Sequence, residues 1–524
     1  MRPAAHDALP PRFEIEAQLG AGSYGTVYRV FDRARKARVA LKLLHRAGAA
    51  PLLRFKREFR ALADLRHDNL LRLYELFADE ARWYFTMELI DGVPLTEAPK
   101  DPASLQRAFA QLASALEALH GAGQLHRDLK PSNVMVEPGG RVVVLDFGFI
   151  SDVADASAEL VGTPAHASPE QLAGAPLDAR SDWYAFGSVL FETLAGRAAF
   201  EGRALEVMAR KQRQSAPPLL ERAPECPPRW AALVDRLLAR EPDARPGPGE
   251  VLATFEARPS EESAEEPPMV GREAPLATLE RAFEAARSSG EARFVWIEGA
   301  SGVGKTTLLR AFEARRASDA WVLSGRCYEQ ESVPHKALDG AFDSLTQTLA
   351  RLTRSERAAL LDGDLSHASL LFPVLARLDG LRPTPALTFA DPSRQREIAV
   401  RALHRLLAGM ASVRPLVVAV DDLQWADADS ARLLRELVEA APMPLLFLGA
   451  HRPVRREASA FFDALGVEAE AITLAPLPRA EAVSLARALL PGAGEATLES
   501  VAEESGGLPF LLGELCRHAR AHGP

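Results

Sequence analysis

The octapeptide HRDLKPSN, residues 126–133, decides how the first half of this 524-residue chain folds. It puts an acid (Asp128), a cation two residues later (Lys130) and a carboxamide (Asn133) into one short loop. Asp128 can accept a hydroxyl proton, Lys130 can stabilise a phosphoryl group in transfer, and Asn133 can ligate a metal. Downstream, LDFG at 145–148 offers Asp146 as a second metal ligand. Upstream, Gly20, Gly22 and Gly25 form G-x-G-x-x-G-x-V, ending at Val27 between two strand patterns. Without side chains that backbone can lie over a triphosphate with its amides aimed at oxygens. Alone, such a run reads more readily as a plain glycine-rich hairpin. VALK at 39–42 then places Lys42 at the end of the next strand, where an ammonium can neutralise phosphate charge. Glu58, in the helical stretch LLRFKREFRALADL (52–65), is a partner for Lys42, although glutamates on helix surfaces are common.

Around these residues the first half starts with short β-like runs and turns mostly helical after about residue 100, as in ASLQRAFAQLASALEALHGAG (103–123). ARPSEESAEEPP, 257–268, lacks apolar periodicity and reads as an extended, solvated linker. Beyond it, apolar strands (RFVWIEG, AWVLSGR, PLVVAVDD, PLLFLGAHR) alternate with helical stretches, the pattern of a parallel sheet covered by helices. From about residue 478 the pattern is helical only.

A second phosphate site sits in this half. Residues 299–306 satisfy G-x-x-x-x-G-K-[ST] between a strand and a helix, with Gly299, Gly302 and Gly304 in the loop and Thr307 in the opening turn. Loop amides and the helix N-terminus make an anion cradle. Lys305 reaches the β- and γ-phosphates and the Thr306 hydroxyl binds Mg²⁺. PLVVAVDDL ends a strand in Asp421, placed to hold Mg²⁺ through water, and Asp422, placed to orient an attacking water. Paired acids after a strand are otherwise a solvated turn. Arg452, at the end of PLLFLGAHR, is either a surface residue or a sensor of the γ-phosphate.

In its order of motifs the first half, 13–256, resembles a bacterial Hanks-type protein kinase domain. The resemblance implies a bilobal α+β fold with its small lobe ending near residue 90. It also implies Met87 as gatekeeper, Glu88 and Leu89 as the adenine-binding hinge, and ATP with Mg²⁺ as cofactors. Lys130, together with Thr163 in GTPAHASPE, is similar to the serine/threonine branch. Asp182 resembles the residue that anchors the catalytic loop, and Arg245 the ion-pair partner of Glu170. SPE (168–170) replaces the usual APE. The segment between Asp146 and Glu170 is acidic (Asp152, Asp155, Glu159) and carries Ser151, Ser157, Thr163 and Ser168. An acidic group or a phosphate on it, Ser157 being the open case, can pair with Arg127. The second half resembles the STAND group of AAA-related P-loop ATPases, through MVGRE (269–273), DDLQWAD (421–427) and GGLPFLLGEL (506–515). That implies a core over 269–477 and a helical arm over 478–524, shorter than in the group, with Gly507 and Pro509 near the nucleotide base.

The expected architecture is therefore multidomain: an N-terminal tail (1–12), a bilobal kinase fold, the linker, then an α/β P-loop NTPase domain with a parallel sheet and a C-terminal helical arm. The expected function is a serine/threonine protein kinase with an attached ATP-binding switch. The alternative makes the ATPase half the effector or a scaffold, with the kinase half acting by autophosphorylation. Expected partners are protein substrates, with self-association through the ATPase domain. A net charge of −9 gives no overall pull toward nucleic acid or anionic membrane, and neither is an expected partner. Cys226, Cys327 and Cys516 show no metal spacing and read as free thiols. The N-terminus has no apolar h-region, so a cytoplasmic location is expected. The basic run ARKQRQ, 209–214, reads as a solvated helix end.

Overall fold

Strand-forming β-branched and aromatic residues open the chain, and they pair in sequence order as far as the third strand. In the computed structural model, residues 9–21, 25–44, 49–63, 65, 67–79, 82–145, 151–152, 164–256, 269–360, 365–378, 392–453 and 459–522 are described. Two compact units divide the chain near Glu265. The linker and the first eight residues lie outside the described residues.

In the first unit, β1 (Phe13–Ala21), β2 (Gly25–Asp32) and β3 (Ala37–Leu44) form an antiparallel meander, extended by β5 (Arg82–Met87) and then β4 (Leu73–Asp79). α1 (Ala49–Ala63) packs Phe55 and Phe59 against Phe85 of β5, at ring-centroid distances of 4.9 and 5.8 Å. The chain then leaves the sheet for a helical lobe. α2 (Pro102–Gly121) starts on an Asp101 cap that accepts from the Ser104 amide, with proline at its first position, and buries one face including Phe109, Leu112 and Leu116. Short strands β6 (Val93–Pro94), β8 (Val134–Val136) and β9 (Val142–Val144) form one small sheet, and β7 (Gln124–Leu125) pairs with β10 (Ser151–Asp152). α3 (Pro169–Leu172), α4 (Ala179–Ala195), α5 (Ala204–Arg213), α6 (Pro228–Leu237) and α7 (Pro248–Phe255) complete the lobe. α4 is buried almost all round and lies at its centre. Gly187 is what lets α6 approach, because a Cβ there would sit 2.6 Å from the Leu237 Cβ.

In the second unit α8 (Glu273–Ser289) precedes β11 (Arg293–Gly299), which is followed by α9 (Lys305–Arg316) and β12 (Trp321–Arg326). A largely helical insertion comes next: a two-residue strand β13 (Glu331–Ser332), α10 (Lys336–Arg351), α11 (Arg354–Leu360) and α12 (Pro392–Ala411). β14 (Leu416–Asp421), α13 (Ala428–Ala440), β15 (Leu445–His451), α14 (Ala460–Leu465) and β16 (Glu470–Leu474) finish the core. The sheet order is β12-β14-β15-β11-β16, with parallel pairing throughout. β14 and β15 are buried at every residue, as strands covered on both faces must be. β15 stops at His451, so Arg452 lies one residue past it. β16 is a strand that the apolar pattern did not announce. The tail is α15 (Arg479–Leu489), α16 (Glu495–Glu504) and α17 (Pro509–His522), a helical arm with its own core of Leu485, Leu498, Leu512 and Cys516. All three cysteines are free and buried. Among the described residues no helix is long and apolar enough to cross a membrane.

One expectation fails here. The run 209–214 is not simply a solvated helix end, because Lys211 is 1% exposed. Its Nζ donates to the carbonyls of Ala165 (2.7 Å) and Ala167 (2.8 Å) and stands 5.0 Å from the centre of the Tyr184 ring. Burial pushes its pKa down to about 7, with Glu170 acting weakly the other way. At lower pH folded and unfolded chains both carry this proton. Between about 7 and the ordinary lysine value only the unfolded chain does, so stability rises with pH across that window. Urea titrations at pH 7 and about pH 9 should show a gain in wild type that Lys211→Met lacks.

α10 approaches β12 through a glycine contact. A Cβ on Gly340 would lie 3.0 Å from the Gly325 Cα, and one on Gly325 would lie 2.9 Å from the Ala341 amide nitrogen. Replacing a helix-interior glycine by alanine ordinarily stabilises a helix by about 1 kcal/mol. Here overpacking reverses the sign, and Gly340→Ala should lower the stability of the second unit by about 1–3 kcal/mol in chemical denaturation.

Candidate active site and nucleotide-binding loops

The loop 126–133 of the first unit hangs from one buried carboxylate. Asp182, in the first turn of α4, is 1% exposed and accepts the backbone N–H groups of His126 and Arg127, both at 2.8 Å. His120 Nε2 lies 2.8 Å from the same carboxylate. Burial opposes ionisation of Asp182, but the His120 hydrogen bond and the nearby histidine charges outweigh it and hold the carboxyl below its ordinary range. Turning two successive amides toward one acceptor forces Arg127 to φ +64°, a strained conformation for a side-chain-bearing residue.

The next residue is Asp128, 7% exposed, with Lys130 Nζ 2.6 Å from its Oδ2. Asn133 donates through Nδ2 to the Asp128 carbonyl at 2.9 Å, which leaves its amide oxygen as an acceptor. Gln171 of α3 donates to the Arg127 carbonyl at 2.7 Å and so ties the loop to the SPE helix. That helix is fixed by Glu170, whose two oxygens receive Arg245 at 2.6 and 2.8 Å and one of which also receives Ser181. Burial works against the Glu170 charge, and the Arg245 hydrogen bond prevails, so its pKa is lowered.

The small-lobe residues line up across the sheet. Gly20 pairs with Val27, and Val27 with Lys42. Gly25 has a packing reason to be glycine, since a Cβ would lie 2.5 Å from the Leu43 carbonyl oxygen. Met87 ends β5, buried, and Glu88 and Leu89 follow it out of the sheet. The Glu88 carboxylate is gripped by Arg141 at 2.7 and 3.1 Å. Arg141 carried no signal in the sequence reading, and neither did His120 or Gln171. Gly22, Asp146, Asp155, Ser157, Glu159 and Thr163 lie outside the described residues. So does the side chain of Glu58, although its backbone falls within α1.

In the second unit the loop 299–304 joins β11 to α9 at the carboxyl edge of the sheet. Gly302 and Gly304 take φ of +78° and +99°, which glycine alone adopts cheaply. Lys305 Nζ donates to the carbonyls of Gly299 (2.8 Å) and Ala300 (2.9 Å). Burial lowers its pKa, while Asp421 and Asp422 act in the opposite direction. Thr306 Oγ1 donates to Asp421 Oδ2 at 2.6 Å, so the two residues expected on the metal side are together. Asp422 has a different environment from the one its expected role suggests. Its Oδ2 receives Arg326 at 2.7 and 2.9 Å, and its Oδ1 receives Gln424 at 2.8 Å. Gln424 in turn accepts the Arg452 backbone N–H at 3.1 Å, while the Arg452 side chain is exposed.

Three separated motifs meet beside this loop. A small pocket is lined by Met269, Val270, Gly304, Thr307 and Pro509. Arg272 is buried beneath it and donates to the carbonyls of Val303 and Ala475, both at 2.9 Å. Phe510 N–H donates to the Gly302 carbonyl at 3.2 Å, and Leu477 N–H to the Gly507 carbonyl at 2.7 Å. The helical arm therefore rests on the phosphate loop itself.

Comparison with known proteins agrees with this geometry. Residues 13–255 match the protein kinase domain and 268–448 the AAA ATPase domain. The serine/threonine-protein kinase pkn2 of Myxococcus xanthus is 34% identical over 265 residues, covering 47% of this chain and 32% of that protein. The DNA damage-responsive serine/threonine-protein kinase RqkA of Deinococcus radiodurans is 34% identical over 261 residues, 47% of this chain and 39% of its own length. The serine/threonine-protein kinase PknL of Mycobacterium tuberculosis is 33% identical over 250 residues, 45% of this chain and 63% of its own length. The match thus reaches less than two thirds of each of these relatives. The chain thus carries a protein kinase domain followed by an AAA ATPase domain.

Removing Arg245 would leave the Glu170 charge buried without its partner. Arg245→Ala should destabilise the first unit by about 3–5 kcal/mol, read as an earlier urea midpoint for that unit alone.

Proposed function

We propose that the first unit transfers the γ-phosphate of ATP to serine or threonine hydroxyls of proteins, and that the second binds ATP as a STAND-type switch. The observation that carries the kinase reading is the loop held by Asp182, which sets the Asp128 carboxylate 2.6 Å from Lys130. In this reading Gly20, Gly22, Gly25 and Val27 cover the phosphates, Glu88 and Leu89 take the adenine, and Glu58 steadies Lys42 against the phosphate charge. Asp128 accepts the proton of the incoming hydroxyl, and Lys130 stabilises the group in transfer. Ser157, Thr163 and Glu170 belong to the segment that forms the substrate's side of the site.

The donors offered to a metal are oxygens throughout: Asn133 and Asp146 in one unit, Thr306 and Asp421 in the other. Such a set fits a hard cation such as Mg²⁺. When bound, the ion neutralises charge on the phosphate oxygens. In the second unit Gly299, Gly302, Gly304, Lys305, Thr306 and Thr307 would cradle the phosphates, with Pro509 at the base and Arg452 as sensor. The pairing of Asp422 with Arg326 and Gln424 favours a unit that holds nucleotide over one that turns it over continuously. The domain limits of this reading are 13–256, 257–268, 269–477 and 478–524. Protein substrates, a cytoplasmic setting and self-association through the ATPase unit go with it. The kinase relatives support it over the version in which the ATPase is the effector.

Mass-spectrometric phosphosite mapping after incubation with Mg-ATP tests the reading. Phosphate on serine and threonine should be present in wild type, lost in Asp128→Asn and altered in Lys305→Ala. Indifference to Lys305→Ala would leave the kinase without control by its own switch. Persistence in Asp128→Asn would sink the assigned base.

A further inference from the structure

Lys211 is a buried amine that the proposed reaction does not use, and its surroundings make its charge expensive. Among the described residues no carboxylate lies within ion-pair distance of its Nζ, and burial lowers its pKa to about 7. Methionine would fill the same space between Tyr184 and Phe200 without that penalty. What methionine could not do is hold two carbonyls. Lys211 pins Ala165 and Ala167, and its neighbour Gln212 donates to the Pro169 carbonyl at 2.6 Å. One end of α5 therefore grips three alternate carbonyls of the strip that leads into α3.

That strip is coupled to the chemistry at its other end. Gln171, two residues past Pro169, donates to the carbonyl of Arg127, the residue before Asp128. His166 is held to Glu192 of α4 at 2.8 Å, and Ser188 Oγ also points at the Ala165 carbonyl, at 3.4 Å. The strip is thus suspended between α4, α5 and the loop 126–133, one side-chain hydrogen bond away from the residue before Asp128. Lys211 and Arg245 each stand 5.0 Å from the centre of the Tyr184 ring, so the strip clamp and the Glu170 ion pair share one aromatic neighbour.

We infer that Lys211 is a positioning residue for the protein substrate, acting through the carbonyls of Ala165 and Ala167 to set the strip against which the accepting chain lies. The inference rests on the kinase reading, and it implies that α5 governs the fit of the protein substrate while leaving ATP untouched.

The test uses the full chain as wild type, Lys211→Met, Lys211→Arg and Gln212→Ala, with myelin basic protein as the acceptor. Lys211→Met should raise KM for the acceptor by about tenfold, the size expected when buried carbonyls lose their donor, while KM for ATP stays within about twofold. Lys211→Arg, which keeps two donors, should recover most of the loss. Gln212 is exposed, so Gln212→Ala should fold normally and give a smaller change of the same kind. Equal shifts in both KM values, or a fall in melting temperature with acceptor KM unchanged, would overturn the inference. Amide hydrogen exchange is followed in parallel. Faster exchange over 165–168 in Lys211→Met, with 126–133 unchanged, is expected. Unchanged exchange over 165–168 would overturn the clamp even in a chain that transfers no phosphate. Absence of transfer by wild type would count against the kinase reading alone.

Discussion

Everything assigned to the first unit depends on a carboxylate that touches no substrate. Asp182 is buried within the helical lobe, where a free charge is costly. It is tolerated because two backbone amides and His120 converge on it. Those same amides belong to the loop that carries Asp128, so satisfying the buried charge and aiming the proposed base are one event. The strain at Arg127 is a local cost of that arrangement, offset by charge-assisted hydrogen bonds roughly twice as strong as neutral ones. Gln171 then passes the position of the loop to α3, and Glu170 with Arg245 fixes α3 in the lobe. The chain of support runs from interior to surface, and the residues proposed to react come last in it.

The second unit solves its placement problem by topology. Parallel strands bring their carboxyl ends to one edge, so residues far apart in sequence arrive together without long side chains to bridge them. Thr306, at the start of α9, meets Asp421, at the end of β14, because both elements terminate at that edge. The same edge collects Arg326 from β12 and, through Gln424, the backbone of Arg452 after β15. The groups come from the ends of β11, β12, β14 and β15, and the strand order decides which of them are neighbours.

Much of this was legible in the residues, because chemistry concentrated in short loops is read directly. HRDLKPSN and GASGVGKT each place their ligands within one turn of chain, and the buried strands of the second unit are too apolar to be anything else. β16 was not legible, because it is an edge strand with only Ile472 and Leu474 buried, too little alternation to stand out. Arg141 and His120 were missed because their partners, Glu88 and Asp182, lie 53 and 62 residues along the chain. Lys211 was misread through the habit of placing lysine in water. A signal did exist: Val207, four residues earlier on the same helical face, is buried, so position 211 faces inward too. The pairing of Asp422 carried no local sign, because its partner Arg326 lies 96 residues earlier in the chain.

The contact between Phe510 and Gly302 has a mechanical meaning. α17 begins where it touches the phosphate loop and runs 14 residues away from it, about 21 Å at the helical rise per residue. Because α17 buries Leu512 and Cys516 in the core it shares with α15 and α16, a displacement at that contact is carried by the three helices together. A Cβ at Gly302 would already stand 2.9 Å from the Phe510 Cβ, so the joint has no slack to absorb a change in loop shape. The shortest side chain in the loop thereby makes the arm a pointer whose far end registers small movements at its pivot.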